Sequence, residues 1–151
     1  MNLLNEDFQD FITALNKYGV RYILVGGYAV VVRGYSRSTG DMDVWIEKSE
    51  TNYECFLEAI HNFGIPIDAI PKDKFFSTTF DVFAFGKPPY AIEIMTAVKG
   101  LDFESTYNKA TWEEIDGIKI KVIHLNHLIE AKKAAGRNKD LNDIENLPKE
   151  D

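Results

Sequence analysis

"VGGYAVVVRGYSRSTGDMDVWIE", residues 25–47, is the stretch on which the reading of the chain turns. It begins at the end of "YILV", Tyr22 to Val25, where aromatic and β-branched residues suit a buried strand. Gly26 and Gly27 follow, then a short helix from Tyr28 to Arg33 ended by Gly34, a loop "SRSTG", and a second strand from Asp41 to Glu47. Side chains alternate along a strand, so Asp41 and Asp43 point one way while Met42 and Val44 point the other. Two carboxylates that close raise each other's proton affinity, and the pair is costly unless a cation lies between them. Oxygen-only ligands of this kind suit Mg²⁺ or Mn²⁺ better than Zn²⁺. The bare glycine turn lets a phosphate approach backbone N–H groups at the start of a helix. Each feature alone has an ordinary explanation, a tight strand-to-helix turn for the glycines and solvated strand-start residues for the aspartates. Side by side, they put phosphate donors and metal ligands at one place.

A third carboxylate would complete such a site. Glu93 is the only charged residue in "YAIEIMTAV", and an acid within an apolar strand is expensive to bury unless it is paired or holds a metal. Asp81, in "TFDVF", is its rival on the neighbouring strand.

Outward from this stretch, strands and helices alternate. Asn5 caps a first helix with Phe8, Phe11, Ile12 and Leu15 on one side, ended near Gly19. Thr51 and Glu54 read as a capping box for a helix carrying Tyr53, Phe56, Leu57, Ile60 and Phe63 as far as Gly64. Segments 78–85 and 91–98 flank "GKPPY" as a hairpin, and residues 102–110 are helix-like. "IKIKVI" alternates as an exposed or edge strand. Asn126 caps a helix through Ala135, Gly136 ends it, and Lys139 to Leu147 form a last helix. The pattern predicts an α/β (α+β) fold, a mixed sheet flanked by helices, with residues 1–151 as a single domain.

Composition narrows the classes. A chain of 151 residues that is 45% hydrophobic can bury a real core. Its single cysteine, Cys55, cannot close an internal disulfide. The start "MNLLNEDFQDF" carries acid where a secretory signal carries base, and no stretch approaches the length of apolar chain needed to cross a bilayer, so a cytoplasmic protein without a membrane partner is expected. A net charge of −7 disfavours nonspecific nucleic-acid binding but is compatible with nucleotide binding through divalent cations. His61, His124 and His127 have no zinc-ligand spacing. In the tail, Lys133 and Arg137 stand four apart and can reach phosphates, with Lys132 and Lys139 beside them. The plainer account of these cations is a helix C-terminus, whose dipole favours them.

The quoted stretch, with the later strand acid in "IEIMT", resembles the nucleotidyltransferase superfamily that includes DNA polymerase beta. Its signature is a glycine-rich turn, a spacer of about a dozen residues, two acids one residue apart, and a third acid on a neighbouring strand. Thirteen residues separate Gly27 from Asp41 here. The spacer residues Ala29, Gly34, Arg37 and Thr39, and the tail "LIEAKKAAGRNKDLNDIENL", are similar to a small bacterial group that includes toxin components of toxin–antitoxin systems. Two departures are Glu93, where the family often has Asp, and Gly40 ahead of Asp41.

The resemblance implies transfer of NMP from an NTP to an acceptor that could be RNA, including tRNA, a protein or a small molecule, with a possible antitoxin partner. It implies two-metal chemistry, with Asp41, Asp43 and Glu93 as catalytic ligands for Mg²⁺ or Mn²⁺. It further implies Gly26, Gly27, Arg37, Thr39, Lys133 and Arg137 as nucleotide-binding residues. The competing expectation is a catalytically inactive nucleotide- or partner-binding module of the same fold. A glycosyltransferase using Asp41-Met42-Asp43 ranks last, since the glycine pair would have no role in it.

Overall fold

The structure is a computed structural model that describes residues 3–79, 82–87 and 90–149. Its centre is β1 (Tyr22–Val25), four residues all buried, as a strand covered on both sides requires. β1 runs antiparallel to β2 (Met42–Ile46) and parallel to β6 (Ile118–Val122). β2 in turn pairs in parallel with β4 (Ile92–Met95), β4 pairs antiparallel with β3 (Val82–Phe85), and β5 (Thr111–Ile115) pairs antiparallel with β6. The result is a mixed six-stranded sheet in the order β3-β4-β2-β1-β6-β5.

Seven α-helices accompany it among the described residues. Two of these, α1 (Glu6–Lys17) and α3 (Glu50–Phe63), pack together, with Phe11 and Phe63 edge to face at 5.3 Å. Helix α2 (Gly26–Val32) links β1 to the loop before β2, and α4 (Lys72–Phe75) buries Phe75 against Phe56 and Tyr53. Next comes α5 (Phe103–Lys109), capped by the Asp102 carboxylate at Ser105 N–H. Near the C-terminus, α6 (Leu125–Ala135) ends at left-handed Gly136 and packs against α7 (Asn138–Asn146). No helix among the described residues is long and apolar enough to cross a membrane.

Asn5 does cap α1, accepting from Phe8 N–H at 2.8 Å. Several expectations shift. α3 is capped by Ser49, not by a box starting at Thr51, because Ser49 already accepts from Asn52 N–H and Thr51 lies inside the first turn. His124, not Asn126, caps α6, its Nδ1 accepting from Asn126 N–H. α2 starts at Gly26 itself, and β2 starts at Met42, one residue after Asp41. The strand "IKIKV" is not an edge: β5, which "TWEEI" forms without an alternating pattern, covers its outer side. Asp81 lies outside the described residues.

Candidate active site

Strand register brings the acids together. Val25, the last residue of β1, is opposite Asp43, and Asp43 is opposite Glu93 on β4. Facing residues on neighbouring strands share a side of the sheet, so the two carboxylates stand next to each other. Asp41 precedes β2, and its Oδ1 accepts from Ala91 N–H at 3.3 Å, holding it at the entrance to β4.

The glycine pair makes room for these side chains. Gly26 has φ +68°, and a Cβ there would sit 2.0 Å from Asp43 Oδ2. A Cβ on Gly27 would meet Thr39 Oγ1 at 2.2 Å. Any larger residue would collide with the acid or with the loop hydroxyl, so the sequence "GG" is dictated by close approach as well as by the turn.

Asp43 is in a costly position. Burial first, then hydrogen bonding with Glu93 and the charges of Glu93 and Asp41, push its carboxyl up to about 8, while Lys132 pulls the other way. Its Oδ1 is buried without a hydrogen-bond partner. An orphaned carboxylate oxygen beside a second carboxylate is a donor set that suits a hard divalent cation. Among the described residues, however, no three His, Cys, Asp or Glu side chains are arranged to hold a metal ion as they stand.

Near the acids lie cations, of which Arg37, Lys132 and Arg137 are already paired within the protein. Arg37 makes a two-pronged contact with Asp143, Nε to Oδ1 at 2.8 Å and Nη2 to Oδ2 at 2.9 Å. Lys132, only 8% exposed, reaches Asp140 at 3.2 Å and Asp143 at 3.1 Å. Arg137 bonds Asp140 through Nε at 2.7 Å. Asp140 and Asp143 are themselves 0% and 2% exposed. Burial raises both carboxyls, but hydrogen bonds from Arg137 and Lys132 to Asp140, and from Arg37 and Lys132 to Asp143, leave them below the usual range.

One cavity of about 650 Å³ is lined by Gly26, Gly27, Thr39, Asp41, Asp43 and Glu93 together with Arg37, Lys132, Arg137, Lys139 and Asn142. Of the residues expected from sequence, Lys133 is not brought there. It faces a separate hollow with Ile129, Ile144 and Leu147, because α6 turns the preceding lysine, Lys132, toward the acids instead. Asp140 and Asp143 were visible in the sequence only as part of a tail pattern. Their spacing of three on a short helix is the signal that both reach one side.

A sheet that sets Asp43 beside Glu93 at the mouth of a glycine turn, under a lysine-bearing helix, defines a nucleotidyltransferase-type fold. The chain belongs to the family described as nucleotidyl transferase of unknown function (DUF2204), whose model matches residues 4–150. It is similar to the crystal structure of a candidate nucleotidyltransferase from Thermotoga maritima, with a TM-score of 0.61 and 18% identity, covering 91% of this chain and 88% of that one. A second similar structure is an antigenic nucleotidyltransferase-like protein from Paracoccidioides brasiliensis, with a TM-score of 0.49, 15% identity, and coverage of 93% and 72%. No protein with a curated description matches the sequence.

Proposed function

We propose that the protein transfers a nucleoside monophosphate from an NTP to an acceptor hydroxyl. The observation that carries this reading is the pairing of Asp43 with Glu93 in a cavity that Arg37, Lys132, Arg137 and Lys139 also line. Asp43 and Glu93 would hold a divalent cation, Mg²⁺ or Mn²⁺, and Asp41 would join them on giving up Ala91 N–H. When bound, the cation supplies charge neutralisation at the phosphates and lowers the pKa of a hydroxyl near it. Arg37, Lys132, Arg137 and Lys139 would position the β- and γ-phosphates, with Thr39 and the Gly27 backbone beside them. The acceptor oxygen forms a bond to the α-phosphorus, the bond from that phosphorus to the bridging oxygen breaks, and pyrophosphate departs. The hydroxyl proton passes to Glu93 or to water.

The acceptor class, whether RNA such as tRNA, protein or small molecule, and a toxin role with an antitoxin partner, rest on the family resemblance in the spacer and tail. One observation favours the other reading, an idle binding module. Arg37, Lys132 and Arg137 are all engaged by Asp140 and Asp143, and no three-acid metal group is preformed among the described residues. Incubating the protein with α-labelled NTPs, Mg²⁺ and cell extract separates the two. Transfer should be readily detected in the wild type and fall about 10²–10³-fold in Asp43→Ala. NTP binding without label transfer or pyrophosphate release in either protein establishes the module reading.

A further inference from the structure

The two edges of the sheet are built differently. β5 closes one edge and carries Glu113 and Glu114, charged side chains of the kind that keep other strands away. β3 closes the other, and its four residues, Val82, Phe83, Ala84 and Phe85, are all uncharged. Phe83 is buried, whereas Val82, 44% exposed, and Ala84 lie open to solvent. Register ties this open side to the acids. Val82 is opposite Met95 and Ala84 is opposite Glu93, which is in turn opposite Asp43. Ala84, Glu93 and Asp43 therefore stand in one row across three strands, on one face of the sheet. Among the described residues no strand lies beyond β3, so its outer N–H and C=O groups form a row that an extended chain can pair with.

We propose that β3 docks the acceptor as an added strand, an extended polypeptide segment whose hydroxyl-bearing residue sits opposite Ala84. The inference rests on the function proposed above and names its acceptor class. A residue opposite Ala84 joins the same row, two strand spacings, about 10 Å, from Glu93. Ala84 is the side chain that lies between them, and its single methyl leaves the way across open. A serine or threonine hydroxyl, one carbon from the backbone, stops short of Glu93, while a tyrosine hydroxyl at the far end of its ring reaches it. Nucleic acid fits this edge poorly. β3 and β4 carry no cation and Lys87 is the one cation in the turn that joins them, whereas a phosphate backbone is held by several. The edge offers backbone hydrogen bonds and the apolar Val82 instead, which suit a peptide strand. In the transfer the tyrosine oxygen bonds to the α-phosphorus and the bond from that phosphorus to the bridging oxygen breaks. Pyrophosphate leaves, and the phenolic proton passes to Glu93 or to water.

Incubation with α-labelled NTPs, Mg²⁺ and cell extract tests the docking strand through the fate of the label. Protease should release the label, ribonuclease should not, and mass spectrometry should place the nucleotide on tyrosine. Ala84→Leu fills the row, and Val82→Lys puts a charge on the edge. Each should lower protein labelling about 10–100-fold, while calorimetry shows both variants binding inorganic tripolyphosphate with Mg²⁺ as the wild type does. Val82→Lys, at an exposed position, serves if Ala84→Leu folds poorly. Label confined to ribonuclease-sensitive or small-molecule products, label on serine or threonine, or protein labelling undiminished in both variants overturns the docking strand and leaves the transfer chemistry standing. No transfer by the wild type to any acceptor overturns the transfer chemistry, and the docking strand with it.

Discussion

At the residue scale, the sheet forces Asp43 into a position that a lone carboxylate would avoid. It sits between the end of β1 and Glu93, against a bare Gly26, with one oxygen unpartnered. Its carboxyl is raised from an ordinary 3.8 to about 8 in the folded protein. Folding therefore takes up a proton between those values. The favourable contribution is full below about pH 4 and is lost as pH rises through about 8. Asp140 and Asp143, held below their ordinary value, act in the opposite sense: their contribution is present above about pH 4 and lost in acid. Replacing Asp43 by Asn removes the first effect only. In metal-free buffer, Asp43→Asn should be more stable than wild type at about pH 9, by about 1–3 kcal/mol, with the advantage shrinking toward about pH 5. Urea denaturation across that range measures it. A wild type whose stability follows the same pH curve as the variant would show that Asp43 is not perturbed.

At the element scale, α7 is a short polar helix whose buried residues are acids. Asp140 and Asp143 face Lys132 of α6, Arg37 of the loop before β2, and Arg137 at the turn between α6 and α7. Such a network contributes mainly by being complete, since removing one member leaves buried charge uncompensated. Lys132→Met should therefore destabilise by about 2–4 kcal/mol, and Lys133→Met, on the exposed side, by less than about 1 kcal/mol. Chemical denaturation of the two variants tests which lysine belongs to the network, and equal losses would count against the assignment. The same helices show what the sequence could disclose. Apolar spacing and end signals gave α1, α3, α6 and α7 within a residue or two, because Asn5, Gly64 and Gly136 act locally. β5 leaves no signal in the sequence because "TWEEI" is half exposed at a sheet edge and has no alternation to read. Lys132 and Lys133 were interchangeable in sequence, because only the packing of α6 on the sheet decides which one turns inward. The pairing of Asp43 with Glu93 depends on a parallel crossover between distant strands. Their residue types hinted at a shared site, and only the register joins them.

At the scale of the whole molecule, a chain of net charge −7 places three acids, Asp41, Asp43 and Glu93, around one cavity and adds two more on α7. The α7 pair is engaged by three cations, Arg37, Lys132 and Arg137, which leaves Asp41, Asp43 and Glu93 at the strand ends without an ion pair of their own among the described residues. A divalent cation there would relieve both the local crowding and part of the global excess. Such binding competes with the proton that Asp43 would otherwise take up, so stabilisation by the cation must grow as pH rises toward and past about 8. A ligand at a hundred times its Kd stabilises by about 2.7 kcal/mol, which for a domain of this size raises Tm by about 5–10 °C. Mg²⁺ titrated into metal-free protein should therefore raise Tm substantially at about pH 8.5 and little at about pH 5.5. Asp43→Asn should abolish most of the rise, and stripping the ion with a chelator should return the wild type to its starting Tm. A shift that is the same at both pH values, or the same in Asp43→Asn, would locate the cation away from the β2–β4 acids and remove the basis for the proposed transfer chemistry.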